Sequence, residues 1–382
     1  MQPPPGLLVD ETSLRAAALE FGRSLNTGLA ERDREGTFPA DSWRACAGFG
    51  IQGLSMPAEH GGSGLSLGAV MAAMEGLGAG CEDNGLIFSL NAQMWSVQHP
   101  LARFGSADQQ KRFLPGLIDG SLIGAHAMTE PGSGSDAFSL TTRAVKDDDG
   151  YVLNGRKSFI TNAPVADFAV VFATIDPGLG IGGVTAFLVE RGAGGFAVDR
   201  TEEKMGMRTS PMGDLLLDGC RVPLSSRLGA EGGGAAIFNS SMEWERASIL
   251  SACTGAMERE LARCVEYARS RRQFGQPIGR FPAVADRLAE MKVRLEASRG
   301  LLRRVAERID SHQTAVMEAA VAKLYVSEAW VASSLDAQSV YGAWGYTVEN
   351  GIERQVRDSL ASRVYSGTSD IQRLMIARHL GL

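Results

Sequence analysis

The spacing of hydrophobic residues predicts helices in the first third of the chain. From about Glu11 to Gly120, amphipathic stretches such as LGAVMAAMEGLG and ADQQKRFLPGLIDG alternate with polar caps and glycine breaks. We therefore expect an N-terminal α-helical domain over residues 1–122.

The pattern changes in the middle third of the chain. Short β-rich runs, FAVVFATI, VTAFLVE and DLLLDGCRV, are separated by Gly, Pro and Asp clusters. In YVLNGRKSFIT, the pair Asn154-Gly155 stands between two strand-like runs, which is typical of a tight hairpin turn. We expect a compact β domain over residues 123–233, with a hairpin that turns at Asn154-Gly155.

The last third of the chain returns to helical spacing after Gly232-Gly233-Gly234. One apolar stripe runs from Leu250 to Ala268, and a longer one runs from Val284 to Ile309. Helices of this length usually pack into bundles. The sequence therefore predicts a C-terminal helical bundle over residues 234–382 and an α+β fold in the order α, β, α.

Composition and charge narrow the classes of function. The chain has 382 residues, of which 44% are hydrophobic and 21% charged, and its formal charge of −6 argues against nucleic acid or an anionic membrane as a partner. Its five cysteines are widely spaced and form no CxxC pair, which favours neither a disulfide framework nor a metal site. With no recognisable signal peptide or membrane-length apolar run, we expect a soluble, cytoplasmic protein without a structural metal.

Four polar segments could hold a ligand or could be ordinary surface turns and helix caps. KSFITNAP places Phe159 and Thr161 two residues apart on a predicted strand, so that an aromatic ring and a hydroxyl face the same side. That pair suits a flat heteroaromatic ring. YSGTSDIQ is typical of a helix start, and its amides and hydroxyls also suit an anion or a cofactor.

The ordered segments MTEPGSGSD, KSFITN, SRRQFGQPI and YSGTSDIQ, together with PAEHGGSGLS, resemble the acyl-CoA dehydrogenase family of flavoproteins over essentially the whole chain. The resemblance implies an N-terminal helical domain, a middle β-barrel-like domain and a C-terminal four-helix bundle. It also implies a homotetramer with FAD between the domains, in which each flavin site is completed by a neighbouring subunit.

The resemblance assigns the FAD contacts to two subunits. Within one subunit it implies ring contacts from Met128, Thr129 and Thr161, stacking by Phe159 where many members have Trp, and a pyrophosphate contact from Ser135. From the second subunit it implies contacts with the adenosine half by Arg271, Gln273 and Phe274. It also implies contacts around the phosphates and ribose by Thr368 and Asp370. Ser339 stands where the family usually has Gln, so this contact departs from the family pattern.

The family reaction needs a base that takes a proton from the carbon alpha to a thioester carbonyl while a hydride leaves the beta carbon for flavin N5. Most members use the Glu of YEGT, but this chain has YSGT, and the hydroxyl of Ser366 cannot act as that base alone. Members resembling isovaleryl-CoA dehydrogenase carry a Glu directly before an Arg at the start of the bundle, which implies Glu245-Arg246 here. Helical periodicity alone instead places Glu243 nearer the apolar face. We expect Glu245 to be the catalytic base and Ser366 and Arg246 to contact substrate.

Further similarity concerns the substrate. FITNAPVADF, GGGAAIFNSSMEWER and the C-terminal SGTSDIQRLMIARHLGL are similar to members that oxidise L-prolyl groups on peptidyl carrier proteins toward pyrrole-2-carboxyl thioesters. Carrier proteins are typically acidic, so basic side chains could help docking, or could simply lie on solvated helix faces. The candidates are Arg263, Arg299, Arg303 and Arg304. Alternatives are a short- or branched-chain acyl-CoA dehydrogenase, a flavin oxidase or monooxygenase, and a catalytically silent flavin-binding module.

Overall fold

The computed structural model describes residues 10–382, apart from the side chain of Ala247. The first part is helical, as the hydrophobic spacing predicts. A π-helical turn, Met94–Gln98, joins the fifth and sixth helices into one continuous run. The helices are α1 (Glu11–Arg23), α2 (Leu29–Glu35), α3 (Ala40–Phe49), α4 (Leu67–Gly80), α5 (Asn84–Gln93), α6 (His99–Phe104) and α7 (Ala107–Ile118).

The middle part forms one mixed sheet in the order β6-β7-β3-β2-β4-β5-β8, with β1 parallel to β4. Its two faces belong to different cores. Phe168, Val170 and Phe172 of β4 pack with helix α7, whereas the intervening alanines and valine pack inside the β domain. The strands are β1 (Gly124–Ala127), β2 (Arg143–Lys146), β3 (Gly150–Thr161), β4 (Phe168–Thr174), β5 (Val184–Glu190), β6 (Phe196–Thr201), β7 (Met212–Pro223) and β8 (Arg227–Leu228).

The predicted hairpin at Asn154-Gly155 is wrong. Strand β3 passes through both residues without turning, and Asn154 pairs with Arg143 of β2. The turn lies earlier, where Asp147 Oδ1 accepts from the Gly150 amide at 2.9 Å. Gly155 marks a register shift between β3 and β7, and a Cβ there would lie 2.4 Å from a Thr142 side-chain atom. The glycine therefore permits a close approach of two backbones rather than a turn.

The last part is helical, as predicted. Leu250, the first residue of the predicted apolar stripe, lies between two helices and not within one. A break at Ile249 and Leu250 separates α8 from α9. Helices α9, α10 and α11 pack together, and α12 and α13 pack on α11. The elements are α8 (Gly234–Ser248), α9 (Ser251–Ser270), the short strands β9 (Arg272–Gln273) and β10 (Gln276–Pro277), α10 (Pro282–Asp310), α11 (Val316–Tyr341), α12 (Ile352–Ala361) and α13 (Ser369–His379).

One hydrophobic core joins the N-terminal helices to the C-terminal bundle. Helices α4 and α9 approach closely through two glycines. A Cβ on Gly78 would lie 2.0 Å from the Ala252 carbonyl oxygen, and one on Gly255 would lie 2.0 Å from the Glu75 carbonyl oxygen. The two helical parts are therefore closely packed against each other. This packing fixes the walls of a space that lies between the helices and the sheet.

Within residues 10–382, no helix combines the length and the hydrophobicity that a membrane span requires. The five cysteines are all buried and unpaired. In the same part of the chain, no three His, Cys, Asp or Glu side chains converge as metal ligands would.

Candidate active site

A cleft of about 730 Å³ opens where the sheet meets the two helical parts. Its walls come from α5 and the π-helical turn, from β1 and β3 with the segment that follows β1, and from α8. The segment between α12 and α13 closes one end. The side chains that line the cleft include Ser96, Met128, Phe159, Glu245, Arg246 and Ser366.

Sequence-predicted site residues from distant parts of the chain meet in this cleft. The ones that line it are Met128, Thr129, Ser135, Phe159, Thr161, Glu245, Arg246, Ser366 and Thr368. Thr368 is also the N-cap of α13, where its hydroxyl accepts from the Ile371 amide. The segment YSGTSD therefore caps α13 and also lines the cleft.

The remaining predicted residues do not line the cleft of their own chain. Phe274 is 93% exposed between β9 and β10, and Arg271 and Gln273 beside it are also exposed. Ser339 is exposed on α11, and Asp370 is exposed in the first turn of α13. The own-chain cleft accounts for the first set of predicted FAD contacts but not for these five residues.

Phe159 presents a flat apolar face to the cleft. It lies at a register shift between β3 and β7, has a left-handed backbone with φ +58, and is 59% exposed. A bulky residue in this region of conformational space is uncommon and is often found at functional sites. The bulge, rather than the regular alternation that the sequence suggested, brings Phe159 and Thr161 to the same cleft. An exposed aromatic ring held in this way fits the isoalloxazine ring of a flavin.

A buried ion pair supports the segment that follows β1. Lys157 Nζ lies 2.8 Å from Glu130 Oε1 and donates to the Met128 carbonyl oxygen at 3.0 Å. Glu130 also accepts from the amides of Thr141 and Thr142. Burial alone would raise the pKa of Glu130, but Lys157 and these donors bring it down to about 2. The charged pair fixes the backbone of Met128, one of the predicted ring contacts.

Glu245 is buried on α8, with 7% of its surface exposed, and its carboxylate is held at both oxygens. The Ser96 hydroxyl donates to Oε2, and the Ser366 hydroxyl donates to Oε1. Burial raises the pKa of Glu245, while the two hydroxyls and the cations Arg246 and Lys323 oppose that rise. The result is a carboxylate facing the cleft with a pKa above its usual range, which suits a general base.

Ser366 has a left-handed backbone with φ +54, and buried polar groups on α11 anchor the segment that carries it. Lys323 Nζ donates to the Ser362 carbonyl oxygen at 2.7 Å, and Ser327 donates to the same oxygen at 2.9 Å. Lys323 is fully buried, and its ammonium lies 5.7 Å from the centre of the Tyr365 ring. These contacts fix the start of the segment from which the Ser366 hydroxyl donates to Glu245.

Glu243 has a different role from Glu245. Its Oε1 accepts from the Ala315 amide at 3.1 Å, at the start of α11, and Glu243 does not line the cleft. Helical periodicity favoured Glu243 because it was measured against an apolar stripe that lies on α9. The break at Leu250 interrupts the helix, so the stripe on α9 does not predict which side of α8 is buried.

The four arginines considered for carrier docking are all ion-paired within the chain, and none lines the described cleft. Arg303 and Arg304 lie on exposed helix faces, whereas Arg263 and Arg299 are partly buried and pair with carboxylates of other segments. The pairs are Arg263 with Glu82, Arg299 with Glu75 and Glu258, Arg303 with Glu307, and Arg304 with Glu318.

Sequence reasoning missed Ser96, Lys157 and Lys323. Ser96 lies 149 residues from Glu245 along the chain, and a serine inside an apolar helix carries no local signal of such a contact. Lys323 inside the largely apolar α11 was a usable signal, because a buried lysine requires a partner, whereas Lys157 stands among other polar residues of β3. That signal identifies the residue but not what it pairs with.

The chain matches three consecutive domain families. They are the N-terminal domain of acyl-CoA dehydrogenase at residues 10–121, the middle domain at residues 125–220 and the C-terminal domain at residues 232–381. An L-prolyl-[peptidyl-carrier protein] dehydrogenase of Pseudomonas fluorescens is 44% identical over 346 residues, which cover 90% of this chain and 91% of the relative.

Two solved structures have nearly the same fold. The prolyl acyl carrier protein oxidase AnaB superposes with a TM-score of 0.96 at 46% identity, covering 99% of this chain and all of AnaB. PigA, solved with FAD and proline, superposes with a TM-score of 0.95 at 36% identity over the full length of both chains. With three matched domains, a flat aromatic face in the cleft and these relatives, the chain belongs to the acyl-CoA dehydrogenase family of FAD-dependent oxidoreductases.

Proposed function

We propose that this protein dehydrogenates an L-prolyl thioester carried by a peptidyl carrier protein, toward the pyrrole-2-carboxyl thioester, with Glu245 as the catalytic base. The prolyl-carrier activities named for the P. fluorescens relative and for AnaB support the substrate class. The observation that carries the chemistry is the buried carboxylate of Glu245 in the cleft, at a site where position 366 supplies only a hydroxyl.

The carboxylate of Glu245 takes the proton from the carbon alpha to the thioester carbonyl. Its raised pKa makes it a stronger base than an exposed glutamate, and the hydroxyls of Ser96 and Ser366 orient it. Bound FAD supplies the acceptor for the hydride that leaves the beta carbon. Phe159 and Thr161 would hold its ring, and the Lys157–Glu130 pair fixes the neighbouring backbone.

Ser366 has a second role at the substrate carbonyl. We assign its backbone amide as a donor to the thioester oxygen, where negative charge develops as the alpha proton leaves, and we place Arg246 beside it in the cleft. A prolyl group loses four hydrogens in becoming a pyrrolyl group. The conversion therefore requires two two-electron oxidations, of which the alpha,beta step is the first.

The substrate assignment is tested by mixing the FAD-loaded protein with prolyl-loaded carrier protein, with unloaded carrier protein and with isovaleryl-CoA. We expect the flavin absorbance to fall only with the prolyl carrier, and the mass of the acyl group to drop by the mass of two or four hydrogens. Faster bleaching by isovaleryl-CoA would identify a short- or branched-chain acyl-CoA dehydrogenase instead. No bleaching by any thioester would favour a catalytically silent module.

We also propose that a second copy of the chain, in a homotetramer, completes each FAD site. Arg271, Gln273 and Phe274 lie at or directly before the β9–β10 hairpin, are exposed and do not line the cleft of their own chain, which fits contacts that bridge subunits. Phe274→Ala should release FAD on dilution, measured by flavin fluorescence, whereas Leu179→Ala, at a 59% exposed position of the β domain, should not. Tight FAD binding by Phe274→Ala, or a monomeric protein in sedimentation, would contradict this proposal.

We place the protein in the cytoplasm. Five buried free thiols support a reducing compartment, because such a compartment does not oxidise cysteine pairs.

A further inference from the structure

We infer that Ser96 is a positioning residue for this reaction: its hydroxyl, donated from the N-terminal helical part, holds the Glu245 carboxylate in the cleft and favours its ionised form. The inference rests on the proposed role of Glu245 as the base. Ser96 itself is assigned no contact with the reacting atoms.

Ser96 differs from several other buried helical serines of this chain in the group to which it donates. Such a serine commonly donates to a carbonyl oxygen of its own helix, as Ser241, Ser248 and Ser298 do in this chain. Ser96 is 3% exposed, yet it donates to a side chain of another helix, Glu245. It lies in the π-helical turn Met94–Gln98, and such turns often occur at functional sites.

The two serines complete the hydrogen bonding of the carboxylate. Ser366 donates to one oxygen and Ser96 to the other, so the carboxylate is bound from both the C-terminal and the N-terminal parts of the fold. With one hydroxyl removed, Glu245 would lose a donor to its charged form and gain rotational freedom.

Charged and titratable groups face this carboxylate from its own helix, from α11 and from the segment after α12, and His99 of α6 packs on the same helix. Arg246 lies on the same helix, Lys323 faces it from α11, and Tyr365 faces it from the segment after α12. The two cations favour the ionised carboxylate, and the π-helical turn contributes only the neutral Ser96 hydroxyl. Removing that hydroxyl therefore leaves the surrounding charges unchanged, and the pKa of Glu245 must rise.

The chain offers a matched control. Ser334 donates to Glu260 Oε2 at 2.9 Å, and both residues are fully buried away from the cleft. Ser96→Ala and Ser334→Ala therefore remove the same kind of hydrogen bond, one beside the proposed base and one inside the bundle.

The experiment measures flavin reduction by prolyl-loaded carrier protein against pH. It also measures the infrared carbonyl band of the protonated Glu245 carboxyl in the substrate-free holoenzyme, identified by its loss in Glu245→Gln. In Ser96→Ala we expect the acid limb of the rate and the midpoint of the band to move together to higher pH by about 1 unit. Ser334→Ala should move neither.

Unchanged midpoints in Ser96→Ala, with Glu245→Gln slow, would overturn this inference and leave the base assignment standing. Fast flavin reduction by Glu245→Gln would instead overturn the base assignment, and the positioning role with it. Should Ser96→Ala fail to fold, Ser96→Cys provides the same test, because a thiol is similar in size and donates more weakly.

Discussion

His99 is a buried histidine that packs on the helix carrying Glu245. Its ring centre lies 4.6 Å from that of Trp244, and burial, with a smaller effect from Arg103, lowers the pKa of His99 to about 4. The folded protein therefore holds this imidazole neutral over a pH range in which an unfolded chain would protonate it. Between pH 6.5 and pH 4 the unfolded state binds the extra proton, so the free energy of unfolding falls as the pH falls.

Replacing His99 by Phe should reduce this acid sensitivity, because Phe can stack on Trp244 and cannot be protonated. We expect the melting temperature of His99→Phe to decline less than that of the wild type between pH 6.5 and pH 4, with similar values above pH 7. Calorimetry across this range is the measurement. Parallel declines in the two proteins would show that His99 does not contribute to acid lability.

Residues of the site were predictable where they stand in a recognisable motif. They were not predictable where their position depends on a contact between distant segments. Phe159, Thr161 and Ser366 stand in recognisable segments, and all three line the cleft. Periodicity could not choose between Glu243 and Glu245, because that choice depends on a helix break and on a distant amide that Glu243 caps. The roles assigned to the site residues stay predictions.

Strand β3 carries both the flat face of the site and its buried support. Lys157 pairs with Glu130 just before the bulge at Phe159, and the Ser158 amide donates to the Thr129 carbonyl oxygen at 2.9 Å. The strand and the segment after β1 are therefore fixed to each other at the point where the ring would bind.

Replacing Lys157 by Met should leave the Glu130 carboxylate buried without its cation. We expect a loss of about 3–5 kcal/mol in the free energy of unfolding and weaker FAD retention, measured by denaturant unfolding and flavin release. Lys146→Met, which removes an exposed ion pair with Glu231, should cost much less, because solvent screens that pair. Equal costs for the two variants would mean that the buried pair contributes no more than a surface pair.

The existence of most helices and strands followed from hydrophobic periodicity, but the path of β3 did not. Asn154-Gly155 has the composition of a hairpin turn, yet the neighbouring strands use that glycine for a close backbone contact. A local signal cannot reveal this, because the partner strands β2 and β7 lie before and after it in the chain.

At the scale of the whole molecule, the helical parts at the two ends of the chain share one core and, with the sheet, form the walls of the cleft. The α, β, α order was predictable from the sequence, and the division at residues 122 and 233 stays a prediction. The close contact of α4 with α9 was not predictable, because it depends on Gly78 and Gly255 meeting across the fold.

Gly255→Ala should disturb this contact, since the new methyl group would lie 2.0 Å from the Glu75 carbonyl oxygen. We expect a loss of about 1–3 kcal/mol in the free energy of unfolding. The control is Gly300→Ala on α10, where a Cβ meets no atom within 4 Å and where Ala should stabilise the helix by up to about 1 kcal/mol. Stabilisation by both variants would show that the helices separate easily.

We propose that Glu245 supplies the base that position 366 lacks. The most direct test is the single-turnover rate of flavin reduction in Glu245→Gln, with Glu243→Gln as the matched control. We predict that Glu245→Gln binds FAD and folds normally but reduces it about a hundred- to ten-thousand-fold more slowly, while Glu243→Gln stays near the wild-type rate. A near wild-type rate in Glu245→Gln, or the large loss in Glu243→Gln instead, would contradict the account.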